Sequence, residues 1–258
     1  MKTRTISGFL LVLILVLSLT INKYLFPILM IICSVFATDE IIKVRSNSLD
    51  TKIKLLSYIL TILLVSNNIF YKVSIILPIS LSILLLTIPV VIYNNKDKYS
   101  IEDAFYLISS ILLIGLSFNC LSLFRIDNII LCIYVFVISF ITDTYAYLGG
   151  YLIGKHPLTS ISPKKTIEGS IIGTTMATII GAIFLHLIVG GYSTLVSIIL
   201  SLILSIISQI GDLMFSSIKR HYNKKDYSKL IPGHGGILDR FDSIIYVSLC
   251  LGLILELL

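Results

Sequence analysis

Tyr192–Met214, YSTLVSIILSLILSIISQIGDLM, gives way almost at once to Ser216–Asp242, SSIKRHYNKKDYSKLIPGHGGILDRFD, and the chain closes on a second apolar run over 240–258. As a helix, the first stretch is long enough to cross a hydrocarbon layer of about 30 Å. The middle stretch is dense in charge and carries three glycines. A charged, glycine-rich loop between two membrane-length helices points to phosphate chemistry at a membrane surface.

The same reading extends outward along the chain. Apolar runs of similar length recur at about 6–21, 24–42, 53–70, 73–93, 101–119, 128–148 and 168–189, which with 192–214 and 240–258 predicts about nine transmembrane spans. Backbone groups in lipid must be satisfied within the segment, and these runs lack period-two alternation, so they are helices rather than barrel strands. Composition agrees. The 258 residues are 56% hydrophobic and 13% charged, with a mean hydropathy of +1.00, against about a quarter charged in soluble domains. The fold class is an all-α polytopic integral membrane protein. Lys2 and Arg4 precede the first run as in a secretory signal, but no small-x-small cleavage site follows Leu19–Asn22, and the run reads as a span.

With the N-terminus cytoplasmic, 17 of the 20 Lys and Arg residues fall in inner segments, and only Lys23, Lys72 and Arg125 lie outside. This positive-inside split predicts a multi-pass protein of the cell membrane with N-terminus and charged C-terminal loops cytoplasmic. It accounts for the net charge of +6 through topology and anionic headgroups, without nucleic acid. Cys33, Cys120, Cys132 and Cys250 stand singly and read as filler.

The expectation is one membrane domain, with 1–120 as scaffold and lipid-facing helices and 121–258 as the catalytic part. Asp39-Glu40 and Glu102-Asp103 read as solvated helix ends, His186 as a packed interior residue and His221 as a solvated one. In the second half, Asp143, Glu168, Asp212, Asp239 and Asp242 all fall near the cytoplasmic ends of their spans. Carboxylates at one depth of a membrane ask for a shared cation. Mg²⁺ suits them, because it takes one or two carboxylates together with substrate phosphates; simple ion pairs with Lys219 or Arg240 are the alternative. Ser162–Gly169 reads as a helix start with Ser162 as N-cap, Pro163 at the first helical position, and Lys164 and Lys165 either beside an anion-holding N-terminus or serving as ordinary positive-inside anchors. In Pro232-Gly233-His234-Gly235-Gly236 the glycines let backbone N–H groups approach an anion, and His234 either binds phosphate or caps the turn.

The Ser216–Asp242 run resembles the C-terminal signature of the phosphatidate cytidylyltransferase (CDP-diacylglycerol synthase) family: S-x-apolar-K-R, then K-D, then P-x-H-G-G-apolar-x-D-R-x-D. Thr142–Tyr147 with Gly150, Gly154 and Lys155, Ser162–Thr166 with Glu168-Gly169, and Gln209–Leu213 resemble further blocks in the family's order. The likeness covers roughly 140–245, while the first half matches only as apolar helices. Phe215 departs from it, standing where many relatives carry an acid.

The resemblance implies transfer of CMP from CTP to phosphatidic acid, giving CDP-diacylglycerol and pyrophosphate. It further implies Asp212 and Asp239 as Mg²⁺ ligands and Lys219 and Arg220 as catalytic phosphate contacts. Asp143, Lys164, Lys165, Glu168, His234, Gly235, Gly236, Arg240 and Asp242 are implied on the substrate side. K⁺ beside Mg²⁺, contact with membrane lipids and a homodimer are compatible with it. An enzyme activating an isoprenoid or other lipid phosphate is the runner-up. A transporter would place its acids near mid-membrane, and a CDP-alcohol phosphotransferase would show an Asp-Gly motif absent from this chain.

Overall fold

The computed structural model describes residues 2–45, 49–93 and 99–257. Lys96, Lys98 and the side chains of Lys2 and Arg4, counted in the charge split, lie outside the described residues. The described residues form helices α1 (Lys2–Thr20), α2 (Leu25–Arg45), α3 (Thr51–Ser66), α4 (Ile76–Tyr93), α5 (Ile101–Asp127), α6 (Ile129–Ile153), α7 (Ile167–Phe184), α8 (Thr194–His221) and α9 (Leu238–Leu257). Six segments are by themselves long and apolar enough to cross a membrane: α2, α4, α5, α6, α8, and α7 with its following turn. That makes the protein a polytopic, all-helical membrane protein. Of the other three, α1 offers an apolar helix over Thr5–Thr20, α3 has 16 residues, and α9 carries Asp239, Arg240, Asp242 and Glu256.

The chain divides into two compact units, Met1–Asp127 with Asp226–Arg240, and Asn128–Lys225 with Phe241–Leu258. In the first, α5 packs against α2, α3 and α4, burying Leu60, Leu64, Leu86, Leu107 and Ile111. Polar links are kept inside it: Thr38 meets Thr61 at 3.0 Å, and the Asn119 amide donates to the Val65 and Asn67 carbonyls at the end of α3. Asp103 receives Arg45 Nε at 2.6 Å and the Ser100 hydroxyl and N–H at 2.9 Å. Glu102 is open to solvent, as a solvated helix end should be, whereas Asp103 is mostly covered and is held by the Arg45 ion pair and the helix start instead of by solvent.

In the second unit α6 and α7 lie almost backbone to backbone. Gly169, Gly173, Ala177 and Gly181 recur every fourth residue and are buried, a small-residue stripe that lets membrane helices approach closely. A Cβ at Gly173 would stand 2.7 Å from the Thr142 carbonyl oxygen. Tyr134 reaches Ser201 at 2.8 Å, tying α6 to α8. A π-helical turn, Leu185–Val189, follows α7, and Gly190 and Gly191 reverse the chain at φ of 73° and 78°. His186 is exposed here and bonds the Tyr192 carbonyl at 2.9 Å, so it is not the packed residue expected. The buried stripe of α7 continues at Leu185, and the next position around the helix turns away from it.

Candidate active site

Within the second unit, the segment between α6 and α7 is folded back on itself. Leu158 N–H donates to the Lys165 carbonyl at 2.8 Å and Ile167 N–H to the His156 carbonyl at 2.9 Å. Lys165 N–H donates to Ser162 O at 3.0 Å, which makes Ser162 a turn residue. The N-cap of α7 is therefore Thr166, whose hydroxyl accepts from Gly169 N–H at 3.1 Å, and not Ser162. The turn comes first because Pro163 sits just ahead of two residues held in hairpin-like pairing. Glu168, in the first turn of α7, accepts from the Lys155 and His156 N–H groups at 3.1 and 3.3 Å and from the His156 ring at 2.6 Å. It pins the loop end to the helix, and His156, its partner, carries no motif signal of its own.

This pinning leaves Lys164 and Lys165 facing a cavity of about 450 Å³, lined also by Asp143, Gln209 and Asp212. Sites for small ligands commonly span roughly 300–1,000 Å³. Lys165 pairs with Asp212, and Ser216, one turn further along α8, donates to Asp212 at 3.4 Å. Gln209 donates to Ser170 O at 3.2 Å and Thr174 Oγ1 at 2.7 Å and accepts from the Ser170 hydroxyl at 2.5 Å, fixing α8 against α7 one turn below Asp212. Asp242 lies within the fields of Asp212 and Asp143, with Lys219 supplying the opposing charge. Ser243 donates to Asp143 at 3.3 Å.

Asp143, Lys164, Lys165, Asp212, Lys219 and Asp242 are thus brought together. Arg220 is exposed, its Nη1 donating to the Lys224 carbonyl at 3.1 Å. Phe215, where an acid is common in the resembling family, is fully buried and sits edge-on to Tyr246 at 6.2 Å. An aromatic contact occupies the place of a charge.

The first unit holds the rest of the signature. Asp239 Oδ2 accepts from the Tyr227 and Gly236 N–H groups at 2.9 Å. Gly235, at φ of 86°, comes so close to Asp239 that a Cβ would stand 2.7 Å from its Oδ2. Arg240 Nε donates to the His234 carbonyl at 2.9 Å. The His234 ring meets the Ser7 hydroxyl at 2.9 Å, and Ser7 also lies 2.8 Å from the Pro232 carbonyl.

Glu40 corrects the sequence reading outright. It is 3% exposed and is no solvated helix end; the Ser228 hydroxyl and the Ile237 and Leu238 N–H groups converge on it. A signal existed, since Ala37, Ile41 and Val44 are apolar at helical spacing around it, whereas Asp39 shares the open face with Lys43 at 2.5 Å.

Among the described residues no three His, Cys, Asp or Glu side chains converge closely enough to chelate a metal ion by themselves. The donor set still fits Mg²⁺, which usually takes one or two carboxylates and completes its shell with water and phosphate oxygens. Asp212 already draws an ammonium group to its carboxylate.

The model of the cytidylyltransferase family matches residues 2–258. Three similar proteins are named phosphatidate cytidylyltransferase. That of Staphylococcus haemolyticus (strain JCSC1435) is 38% identical over 178 residues, 69% of this chain and 67% of the relative. That of Staphylococcus saprophyticus is 36% identical over the same shares. That of Staphylococcus aureus (strain COL) is 39% identical over 162 residues, 62% of each chain. As the family match takes in both units and every motif residue described above, the chain belongs to the cytidylyltransferase family.

Proposed function

We propose that the protein transfers CMP from CTP to phosphatidic acid, forming CDP-diacylglycerol and pyrophosphate for phospholipid synthesis. The observation that carries this reading is a shared cavity onto which Asp143, Lys164, Lys165 and Asp212 face, in a chain of this family. A phosphate oxygen of the lipid attacks the α-phosphorus of CTP, and the bond to the bridging oxygen breaks as pyrophosphate leaves. The lipid phosphate is already anionic near neutral pH, so the barrier lies in charge gathering on the α-phosphate and the leaving group. Positioning and electrostatic stabilisation dominate such transfers.

Lys164 and Lys165 act as point charges toward the nucleotide phosphates, Lys219 balances Asp242, and Glu168 keeps the lysine loop closed onto α7. Asp212 is assigned as a Mg²⁺ ligand, and Asp239 as its partner on the strength of the family motif; the bound ion would supply charge neutralisation at the phosphates. K⁺ beside Mg²⁺ is part of the same proposal. Purified protein given labelled CTP, Mg²⁺ and a panel of lipid phosphates is expected to yield CDP-diacylglycerol from phosphatidic acid. A product only from a prenyl phosphate would reassign the substrate, and no cytidylyl product from any lipid would end the reading. Swapping K⁺ for Na⁺ in the same assay tests the monovalent ion.

The topology proposed is nine spans with the N-terminus and the loops 154–166 and 222–237 cytoplasmic, supported by the basic-residue split and by the location of CTP. Single cysteines at Ser160 and Lys229, both exposed, in a cysteine-free variant should react from the cytoplasmic side. Labelling from opposite sides would mean that a span is miscounted. The assembly proposed is the homodimer that the family resemblance implies, and a monomeric protein mass in light scattering would remove it.

A further inference from the structure

A buried carboxylate on α2 grips the signature segment. Glu40 Oε1 accepts from the Ser228 hydroxyl at 2.7 Å and from Ile237 N–H at 2.9 Å, and Oε2 accepts from Leu238 N–H at 2.9 Å. All four residues belong to the first unit. The first N–H groups of a helix have no partner within it and carry partial positive charge. A carboxylate there does from another helix what an N-cap side chain does locally.

The packing is close on both sides of this contact. A Cβ at Gly236 would collide with the Glu40 carboxyl group, which accounts for glycine at that position. From within the segment, Asp239 takes the Tyr227 and Gly236 N–H groups. Two carboxylates therefore consume the amides of Tyr227, Gly236, Ile237 and Leu238. The glycine-rich run spends these donors on holding its own shape, in place of the direct phosphate cradle that its composition suggests.

We propose that Glu40 is a positioning residue of the cytidylyl transfer: from α2 it clamps the Ser228–Leu238 segment and so holds Asp239 in the conformation that catalysis uses. The proposal rests on the reading of Asp239 as part of the reaction site. Glu40→Gln keeps the size and one acceptor oxygen but turns an amide N–H₂ toward a backbone donor. Glu40→Ala removes every acceptor, and Ser228→Ala removes one hydrogen bond while leaving the charge.

Hydrogen exchange in detergent and steady-state kinetics, run on the same full-length preparations, test the clamp. In Glu40→Gln, exchange at Ile237 and Leu238 should rise about tenfold while α3 and α5 stay protected, and kcat should fall about tenfold with the KM for CTP within about twofold. Glu40→Ala should lose about a hundredfold in kcat and Ser228→Ala about threefold, so that the loss grows from removal of one neutral donor, through replacement of one carboxylate oxygen by an amide, to removal of both oxygens.

Unchanged exchange at 237–238 in Glu40→Gln overturns the clamp. Exchange rising equally in all helices, with Ser228→Ala silent, makes Glu40 a general stability residue and overturns the positioning role. Exchange needs no turnover, so the two readings separate: a local rise in exchange alongside a fully active Asp239→Asn variant overturns the catalytic use of the segment and not the contact itself.

Discussion

Asp212→Asn should lower turnover of CTP and phosphatidic acid by about a thousandfold, the scale on which removal of a central electrostatic group acts in a water-poor site. Asn matches Asp in shape, so what the substitution removes is charge. Asp212 lines the cavity, holds Lys165 and shares its field with Asp242. With Asp212 as the proposed Mg²⁺ ligand, its neutralisation would weaken cation binding, and it also takes from Lys165 its ion-pair partner. Asp239→Asn should fall comparably for a separate reason. Its Oδ2 anchors two backbone N–H groups, which an Asn carbonyl can still accept, so the segment keeps its form while the negative charge is lost. Steady-state assays across a Mg²⁺ titration, with thermal melting as the control for folding, measure both. Near-normal turnover in both variants at low Mg²⁺ would remove the carboxylate-held ion.

The membrane class and the C-terminal chemistry were legible because each rests on local pattern. Apolar runs report removal from water, and the Lys-Arg, Gly-rich and Asp-rich blocks are contiguous. Element limits were less so. The apolar run ending at Met214 belongs to a helix that continues to His221, since Ser, Ile, Lys and Arg extend a helix beyond the hydrocarbon layer without a break. Asp212 is thus well inside α8 and not at its end, and Lys219 follows it two turns later on the same rod.

The start of α7 was misplaced because a Pro after a Ser suits a turn as well as a helix start. Long-range partners leave no mark in local sequence. Nothing near Glu40 in sequence announces Ile237, and nothing near Ser7 announces Pro232 or His234. These contacts span 197 residues for Ile237 and 225 for Pro232, and hydropathy carries no information about them. From sequence the first half therefore reads as scaffold and lipid-facing helices, although it supplies supports of the signature segment.

Lys219→Ala should reduce kcat/KM about a hundredfold, while Arg220→Lys should reduce it less, by about fivefold. The two cations are adjacent in sequence and differ in setting. Lys219 is 9% exposed and opposes Asp242, which also feels Asp212 and Asp143. Without that ammonium, three carboxylates crowd a site that must receive the triphosphate of CTP, and like charges in a partly desolvated site repel strongly. Arg220 is exposed on the last turn of α8 with its guanidinium on the Lys224 carbonyl. On the proposed reading it would reach substrate by releasing a surface contact that costs little, and its advantage over Lys would be the bidentate fork toward phosphate oxygens. Steady-state kinetics with CTP varied at saturating phosphatidic acid separate the two. Lys219→Arg, which keeps the charge but not the compact ammonium, should recover part of the loss. A silent Arg220→Lys would leave Arg220 as a helix-end anchor among headgroups. A Lys219→Ala enzyme with wild-type kcat/KM would show that the carboxylate cluster does not need a buried counter-charge to accept the nucleotide.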